Sequence, residues 1–340
     1  MASVRSIILT GANGSSGIVA SEYLLKTYPQ YHAILTVRSA SDDDSNTRAL
    51  RAVVSKYSSA KATIHQLDLS SLTDVKEFTD KINTDIQTGA IPPLKAIICN
   101  AYYWNLVSEA VLTSDGYEMT IQVSYISHVA LVLRLLASFG SDGRIELLSS
   151  VVHYRRKLAL MSPYIPEVPE AVNMDNVIHP PPDPDYQGRG FYRYASAKLF
   201  TTAWAFALNR HLEKDPKLKH ITAVAMNPGN MWDARSFEGN TPSSIQAMRK
   251  YLFKPFQPVI RRVLDPTFRK TSEAGIDIIE LALNPKFDGE RGYYTMLKKD
   301  EPDPAVVDVA VQDRVWAKSL DWSGVTKEQT VLDINPRIRD

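Results

Sequence analysis

Short runs of β-branched and aliphatic residues alternate along the chain with longer segments whose apolar positions recur every three or four residues. That is the pattern of parallel strands joined by crossover helices. The runs predict strands near Ser6 to Leu9, His32 to Val37, Ala62 to Gln66, Lys95 to Cys99, Arg144 to Leu148, Ile221 to Met226 and Gly292 to Met296. Helical spacing falls between them, at about Ser16 to Thr27, Ser45 to Tyr57, Leu72 to Ile82, Asp115 to Phe139, Phe191 to Glu213, Pro242 to Phe253 and Ser272 to Leu283. The order predicts an α/β fold, a single doubly wound and mostly parallel sheet with helices on both faces, residues 1–340 forming one domain. Ligands of such sheets bind at the carboxyl ends of the strands, where the winding direction reverses.

The chain has 340 residues, 44% of them hydrophobic and 23% charged, enough to bury a substantial core. A formal charge of +1 offers no field to hold a polyanion, so nucleic acid is not an expected partner. Cys99 is the only cysteine, which excludes an internal disulfide and a multi-cysteine metal site and fits a reducing compartment. No metal is expected. The apolar run at the start is too short for a signal peptide or a span, Gln122 and Ser124 interrupt a second candidate, and Arg210 and His211 end a third. The expectation is a cytoplasmic protein with no transmembrane segment.

Directly after the first strand comes Thr10-Gly11-Ala12-Asn13-Gly14-Ser15-Ser16-Gly17, running into a helix. Glycines there allow a tight turn and let backbone approach a pyrophosphate at the positive end of the helix; the plainer alternative is an ordinary strand-to-helix turn. At the end of the second strand an acidic residue would accept from the ribose hydroxyls, whereas a basic one pairs with the extra phosphate of NADP(H). The chain has Thr36-Val37-Arg38-Ser39. Arg38 can chelate a phosphate at two points and Ser39 can assist, so NADP(H) is the expected cofactor; a solvated strand-end arginine is the alternative.

Tyr194-Ala195-Ser196-Ala197-Lys198 lies within a predicted helix. Four residues make slightly more than one turn, placing phenol and ammonium on one face. A lysine cation there would depress the tyrosine pKa and suit it to general acid chemistry. Upstream, Arg144 to Val151 reads as a strand ending in Ser149 and Ser150.

These pieces resemble the short-chain dehydrogenase/reductase family, whose commonest glycine fingerprint is T-G-x-x-x-G-x-G and whose catalytic helix carries Y-x-x-x-K. Here the spacing is T-G-x-x-G-x-x-G, as in the family's longer members, with Ser15 at the usual glycine position. The resemblance implies a Rossmann fold, with Gly11, Asn13, Gly14, Ser15, Ser16 and Gly17 holding the cofactor phosphates. In His65-Gln66-Leu67-Asp68-Leu69, Asp68 aligns with the residue that contacts adenine, and Leu69 beside it belongs to the same site. In Cys99-Asn100-Ala101-Tyr102, Asn100 aligns with the asparagine of the family's N-A-G turn and Tyr102 replaces its glycine. The family usually uses the second serine of a pair such as Ser149-Ser150, so Ser150 is expected to bind the substrate oxygen while Tyr194 moves the proton and Lys198 also holds the nicotinamide ribose. Ser124 aligns with the family's fourth catalytic residue, an asparagine that organises a relay water. Pro228-Gly229 resembles the turn over the nicotinamide, and Gly292-Tyr293-Tyr294 and Arg314-Val315-Trp316 are similar to the retinol dehydrogenase and ketosteroid reductase branches.

The segment 154–190 enters between Ser150 and Tyr194 and includes the proline-rich stretch Pro163 to Pro184. Its Tyr154, Met161, Tyr164, Ile165 and Tyr186, with Phe191, could line an apolar pocket or decorate the surface. A second segment, 230–268, mixes aromatics with cations from Tyr251 to Arg262 and could form a lid, a membrane contact or an oligomer contact. The lid is favoured, because the segment follows the turn over the nicotinamide and lid loops exclude water during transfer; Pro255 and Pro258 argue against one continuous amphipathic membrane helix. The expected activity is NADPH-dependent reduction of a ketone or aldehyde, or the reverse oxidation, on a bulky lipophilic molecule, as in similar fungal enzymes of secondary metabolism. The rivals are a non-redox isomerase or cyclase on the same scaffold and a catalytically silent dinucleotide-binding protein; a homo-oligomer is compatible with all three.

Overall fold

The computed structural model describes residues 5–155 and 174–334. Eight strands form one sheet in the order β10-β9-β6-β5-β4-β1-β2-β3: β1 Ser6–Leu9, β2 His32–Val37, β3 Ala62–Gln66, β4 Leu94–Cys99, β5 Phe139–Leu148, β6 Ile221–Asn227, β9 Gly292–Thr295 and β10 Lys298–Asp300. All neighbours run parallel except β10, which folds back antiparallel on β9. The central strands are continuous apolar runs because helices cover both faces: β1, β2, β4 and β6 are buried at every residue. Two short strands, β7 Asn230–Met231 and β8 Phe268–Arg269, make a separate parallel pair.

One face of the sheet packs against helices Leu72–Gln87, Met119–Ser138, Tyr186–Lys214 and Val309–Ser323, the other against Ser15–Thr27, Ser45–Lys56 and Thr271–Leu283. The winding reverses between β1 and β4, which therefore opens a crevice at their carboxyl ends. Helix Val309–Ser323 was not foreseen. It is anchored by Trp316, stacked 4.0 Å from His211 and 6.1 Å from Trp204.

Two expectations need correction. Gln122 and Ser124 do not interrupt an apolar segment: Met119–Ser138 is long and apolar enough to cross a membrane, with mean hydropathy 1.4, yet 89% of that stretch is buried inside the protein. Gln122 is tolerated there because its amide donates to Asp115 at 2.5 Å and its carbonyl accepts from Thr113. Likewise Pro255 and Pro258 do not stop the helix they occupy. Residues 243–264 form one helical run, Ser243–Met248, Arg249–Phe253, Lys254–Val259 and Ile260–Leu264, in which the second and fourth parts are π-turns. Wider turns change the hydrogen-bond register beside the prolines, where an N–H is missing.

Candidate active site

At the carboxyl ends of β1, β2 and β4 lies a cavity of about 520 Å³. Its floor is the glycine turn. Gly11 adopts a φ of +63° with Ala101 Cα only 3.0 Å from where a Cβ would stand, and a Cβ on Gly17 would meet the Gly11 carbonyl at 2.2 Å. So Gly17 stays out of the cavity lining and serves the close packing of helix against turn, whereas Gly11, Asn13, Gly14, Ser15 and Ser16 face the space. Gly14 caps helix Ser15–Thr27 without a side-chain hydrogen bond, leaving the first-turn N–H groups to a ligand.

Arg38, Asp68, Leu69 and Asn100 also line the cavity. Arg38 is exposed and makes no hydrogen bond or ion pair among the described residues. Asp44, one of the acidic residues in the lining, is committed to capping helix Ser45–Lys56 through the N–H groups of Asn46 and Thr47 at 2.8 and 2.9 Å. Asn100 is a structural clamp, its amide donating to the Thr10 carbonyl at 2.9 Å while its carbonyl accepts from Ser16 at 3.0 Å. Ser39 does not face the cavity: its hydroxyl accepts from Ser41 N–H within its own loop. Pro228 and Gly229 are outside the lining as well. Gly229, with φ +87° and Thr267 O 2.6 Å from a would-be Cβ, turns the chain so that Met231, Ala234 and Arg235 line the cavity instead.

Arg235 is a residue the linear sequence did not reveal. Its guanidinium donates to Asn46 Oδ1 and to the Asn13 carbonyl, and its N–H donates to Ser15 Oγ at 2.9 Å. It straps the segment after β6 across the phosphate turn. Only the fold brings positions so far apart in the chain together.

Ser150 Oγ accepts from Val152 N–H at 3.4 Å, and its hydroxyl is the neighbour that pulls the Tyr194 pKa down. Ser149 points the other way, to Thr202 Oγ1 at 2.6 Å in the core. His153 fixes the Ser150 backbone: its Nε2 accepts from Asp303 N–H at 3.2 Å, so its Nδ1 is the donor to the Ser150 carbonyl at 2.7 Å. The helix that carries Tyr194 is held by Arg193, paired with buried Glu118 at 3.1 Å.

Lys198 departs from its expected role in the free protein. Its Nζ donates to the Leu148 carbonyl at 2.5 Å and stands over the rings of Tyr102 and Tyr194 at 5.7 and 5.6 Å, away from a bond to the phenol. Burial pushes its pKa down to about 7. Tyr194 is correspondingly not depressed: burial and the neighbouring Tyr102 raise it, and only the Ser150 hydroxyl pulls it down. Desolvation outweighs a cation that lies over the ring face.

Ser124 is not turned toward this trio. Its hydroxyl accepts from Tyr103 N–H at 3.2 Å and faces the Tyr103 carbonyl at 3.4 Å, within the π-turn Gln122–Ile126. His128, likewise, is a packed core histidine bonded to Thr10 Oγ1 at 3.0 Å. Tyr102 walls the dinucleotide cavity from Tyr194, its ring 5.9 Å away, and Trp104 lies 5.7 Å from Tyr194, 5.9 Å from Phe191 and 5.5 Å from Phe237. Of the other apolar residues expected to face a substrate, Tyr154 packs in the core on His153 and Tyr293, Tyr186 is exposed, and Met161, Tyr164 and Ile165 lie outside the described residues.

A doubly wound sheet with a glycine turn at its switch point and a Ser–Tyr–Lys trio defines a dinucleotide-dependent oxidoreductase. The family described as the AcuH dehydrogenase domain matches residues 235–332. The dehydrogenase acuH of Aspergillus aculeatus is 37% identical over 93 residues, 27% of this chain and 94% of that protein. The short-chain dehydrogenase iccH of Talaromyces variabilis is 27% identical over 373 aligned residues, 96% of this chain and 98% of that protein. Among solved structures, the angucycline C-6 ketoreductase LanV with bound NADP superposes with a TM-score of 0.56 at 16% identity, over 86% of this chain and 95% of that one. The chain belongs to the short-chain dehydrogenase/reductase family and is an NAD(P)-dependent oxidoreductase.

Proposed function

We propose that the protein is an NADPH-dependent carbonyl reductase, or the reverse alcohol dehydrogenase, acting on a bulky lipophilic ketone, aldehyde or alcohol. The observation that carries the cofactor choice is Arg38, a guanidinium in the cavity wall with no hydrogen bond or ion pair among the described residues, in a lining whose Asp44 is already spent as a helix cap. LanV, a ketoreductase with bound NADP, is in keeping with this reading. The glycine turn and the open first turn of helix Ser15–Thr27 fit a pyrophosphate, Asp68 and Leu69 fit the adenine side, and Arg38 fits a ribose phosphate. When bound, the cofactor supplies the hydride.

The chain's own part is proton handling and orientation. Ser150 donates to the substrate carbonyl oxygen, and Tyr194, held undissociated by its burial, delivers the proton to that oxygen as it gains charge. The rings of Tyr102 and Trp104 pack on Tyr194, and Trp104 continues the apolar surface to Phe191 and Phe237, which suits an extended hydrophobic substrate.

Titration of the purified protein with NADPH and NADH, followed by nicotinamide absorbance with a panel of lipophilic ketones, is the test. NADPH should bind more tightly, and Arg38→Ala should weaken it by roughly tenfold to a hundredfold while leaving NADH nearly unchanged, the worth of a charge-assisted hydrogen bond. Equal affinity for the two nucleotides overturns the cofactor choice. Product formation with no net NADPH oxidation would favour a non-redox isomerase or cyclase that uses the same tyrosine.

A further inference from the structure

The helical run 243–264 lies outside the dinucleotide cavity lining. It rests on the body through Ile245, Phe253, Gln257 and Ile260, which are half-buried, with Phe253 edge-on to Phe268 at 5.3 Å. Its other face is apolar and open to solvent. Met248, Leu252, Phe256, Val259 and Val263 follow one another at spacings of three or four residues, and all are exposed, Val263 by 70%; Tyr251 and Leu264 flank them at 68% and 75%. None of these side chains lines the cavity.

The charges of the run are one-sided. It contains Arg249, Lys250, Lys254, Arg261 and Arg262 and no acidic residue, in a chain whose overall formal charge is +1. Arg249 is paired with Glu238 and Arg261 with Glu273. Lys250, Lys254 and Arg262 hold no ion pair among the described residues, and Lys250 lies 5.0 Å over the Tyr251 ring. A second copy of this chain would bring a like charge to such a surface, whereas an apolar stripe flanked by unpaired cations complements a plane that is anionic outside and hydrocarbon beneath.

We infer that residues 243–264 form an interfacial helix that docks the protein on an anionic lipid bilayer, the apolar stripe entering the headgroup boundary and Lys250, Lys254 and Arg262 pairing with lipid phosphates. Docking sets Met231, Ala234 and Arg235, which line the cavity, close to the bilayer surface. Membrane docking does not depend on which substrate is reduced.

Vesicle flotation tests it, with the full chain and vesicles of phosphatidylcholine alone or with roughly one-third phosphatidylglycerol. The wild type should float with the anionic vesicles, weakly with the neutral ones, and less as salt is raised. The triple variant Lys250→Gln, Lys254→Gln, Arg262→Gln should lose on the order of a hundredfold in partitioning, about fivefold per cation. Leu252→Ser, Phe256→Ser, Val263→Ser should lose floatation on both compositions, with circular dichroism and thermal unfolding unchanged because these side chains support no core. A wild type that stays out of the vesicle fraction at low salt, or a triple glutamine variant that floats like the wild type, overturns the inference. So does a dimer in sedimentation equilibrium that the serine variant abolishes while neither protein binds vesicles, which assigns the face to a second copy.

Discussion

Replacing Lys198 by Met should make the protein more stable near neutrality and below while removing its turnover. Lys198 is 2% exposed, and its pKa falls from 10.5 to about 7 because burial penalises the cation. A group whose folded value lies below its unfolded value contributes stability that is fully present above the unfolded value and is lost as pH falls through the folded one. The wild type should therefore gain about 1.4 kcal/mol per pH unit from this group between about pH 7 and 10, or roughly 3 kcal/mol between about pH 6 and pH 9. Lys198→Met has no such slope. Below pH 7 the penalty removed is on the order of 5 kcal/mol, reduced by about 1–3 kcal/mol for the Leu148 carbonyl left without its donor, so the variant should be the more stable by a few kcal/mol. Urea unfolding followed by tryptophan fluorescence, on nucleotide-free protein at about pH 6, 7.5 and 9, reads both quantities. Parallel wild-type and variant curves across that range, or a variant less stable at the acid end, would refute the argument that burial of the ammonium dominates at this site.

Tyr194→Phe should lower turnover by roughly a hundredfold to ten-thousandfold with cofactor affinity retained, read by steady-state kinetics beside nucleotide titration; wild-type turnover would remove Tyr194 as the proton donor. Gly17→Ala places a methyl against the Gly11 carbonyl and should cost about 1–3 kcal/mol of stability together with nucleotide affinity, seen as a lower Tm and a weaker NADPH titration. Ser124→Ala should lower stability by about 1 kcal/mol through loss of the tie to the Tyr103 backbone and change turnover little, since its hydroxyl is directed to that backbone; a large kinetic loss in a stable variant would restore Ser124 to a relay. Trp104→Ala should shift KM among lipophilic carbonyl compounds more than it shifts NADPH affinity, and an unchanged substrate profile would exclude the aromatic cluster as the pocket.

The alternation of buried apolar runs with helical periodicity was enough to read the doubly wound sheet, because a strand covered on both faces must be apolar throughout. The glycine turn was legible for a related reason: the close approaches at Gly11 and Gly17 admit no side chain, so local geometry writes itself into residue type. Tyr194 and Lys198 could be paired from their spacing alone, since one helix presents both. What the neighbours do to them could not be read. The fall of Lys198 to about 7 and the rise of Tyr194 come from desolvation by residues distant in the chain, and the choice between Ser149 and Ser150 is a matter of which hydroxyl faces Thr202 and which faces Tyr194. Arg235 over the phosphate turn, Glu118 paired with Arg193 and the Asp303 N–H that sets the His153 ring are long-range meetings with no local signature. The helical run 243–264 shows the limit most directly: its prolines argue locally for a break, but π-turns beside them keep the run helical, and only then do its apolar residues align on one outward face.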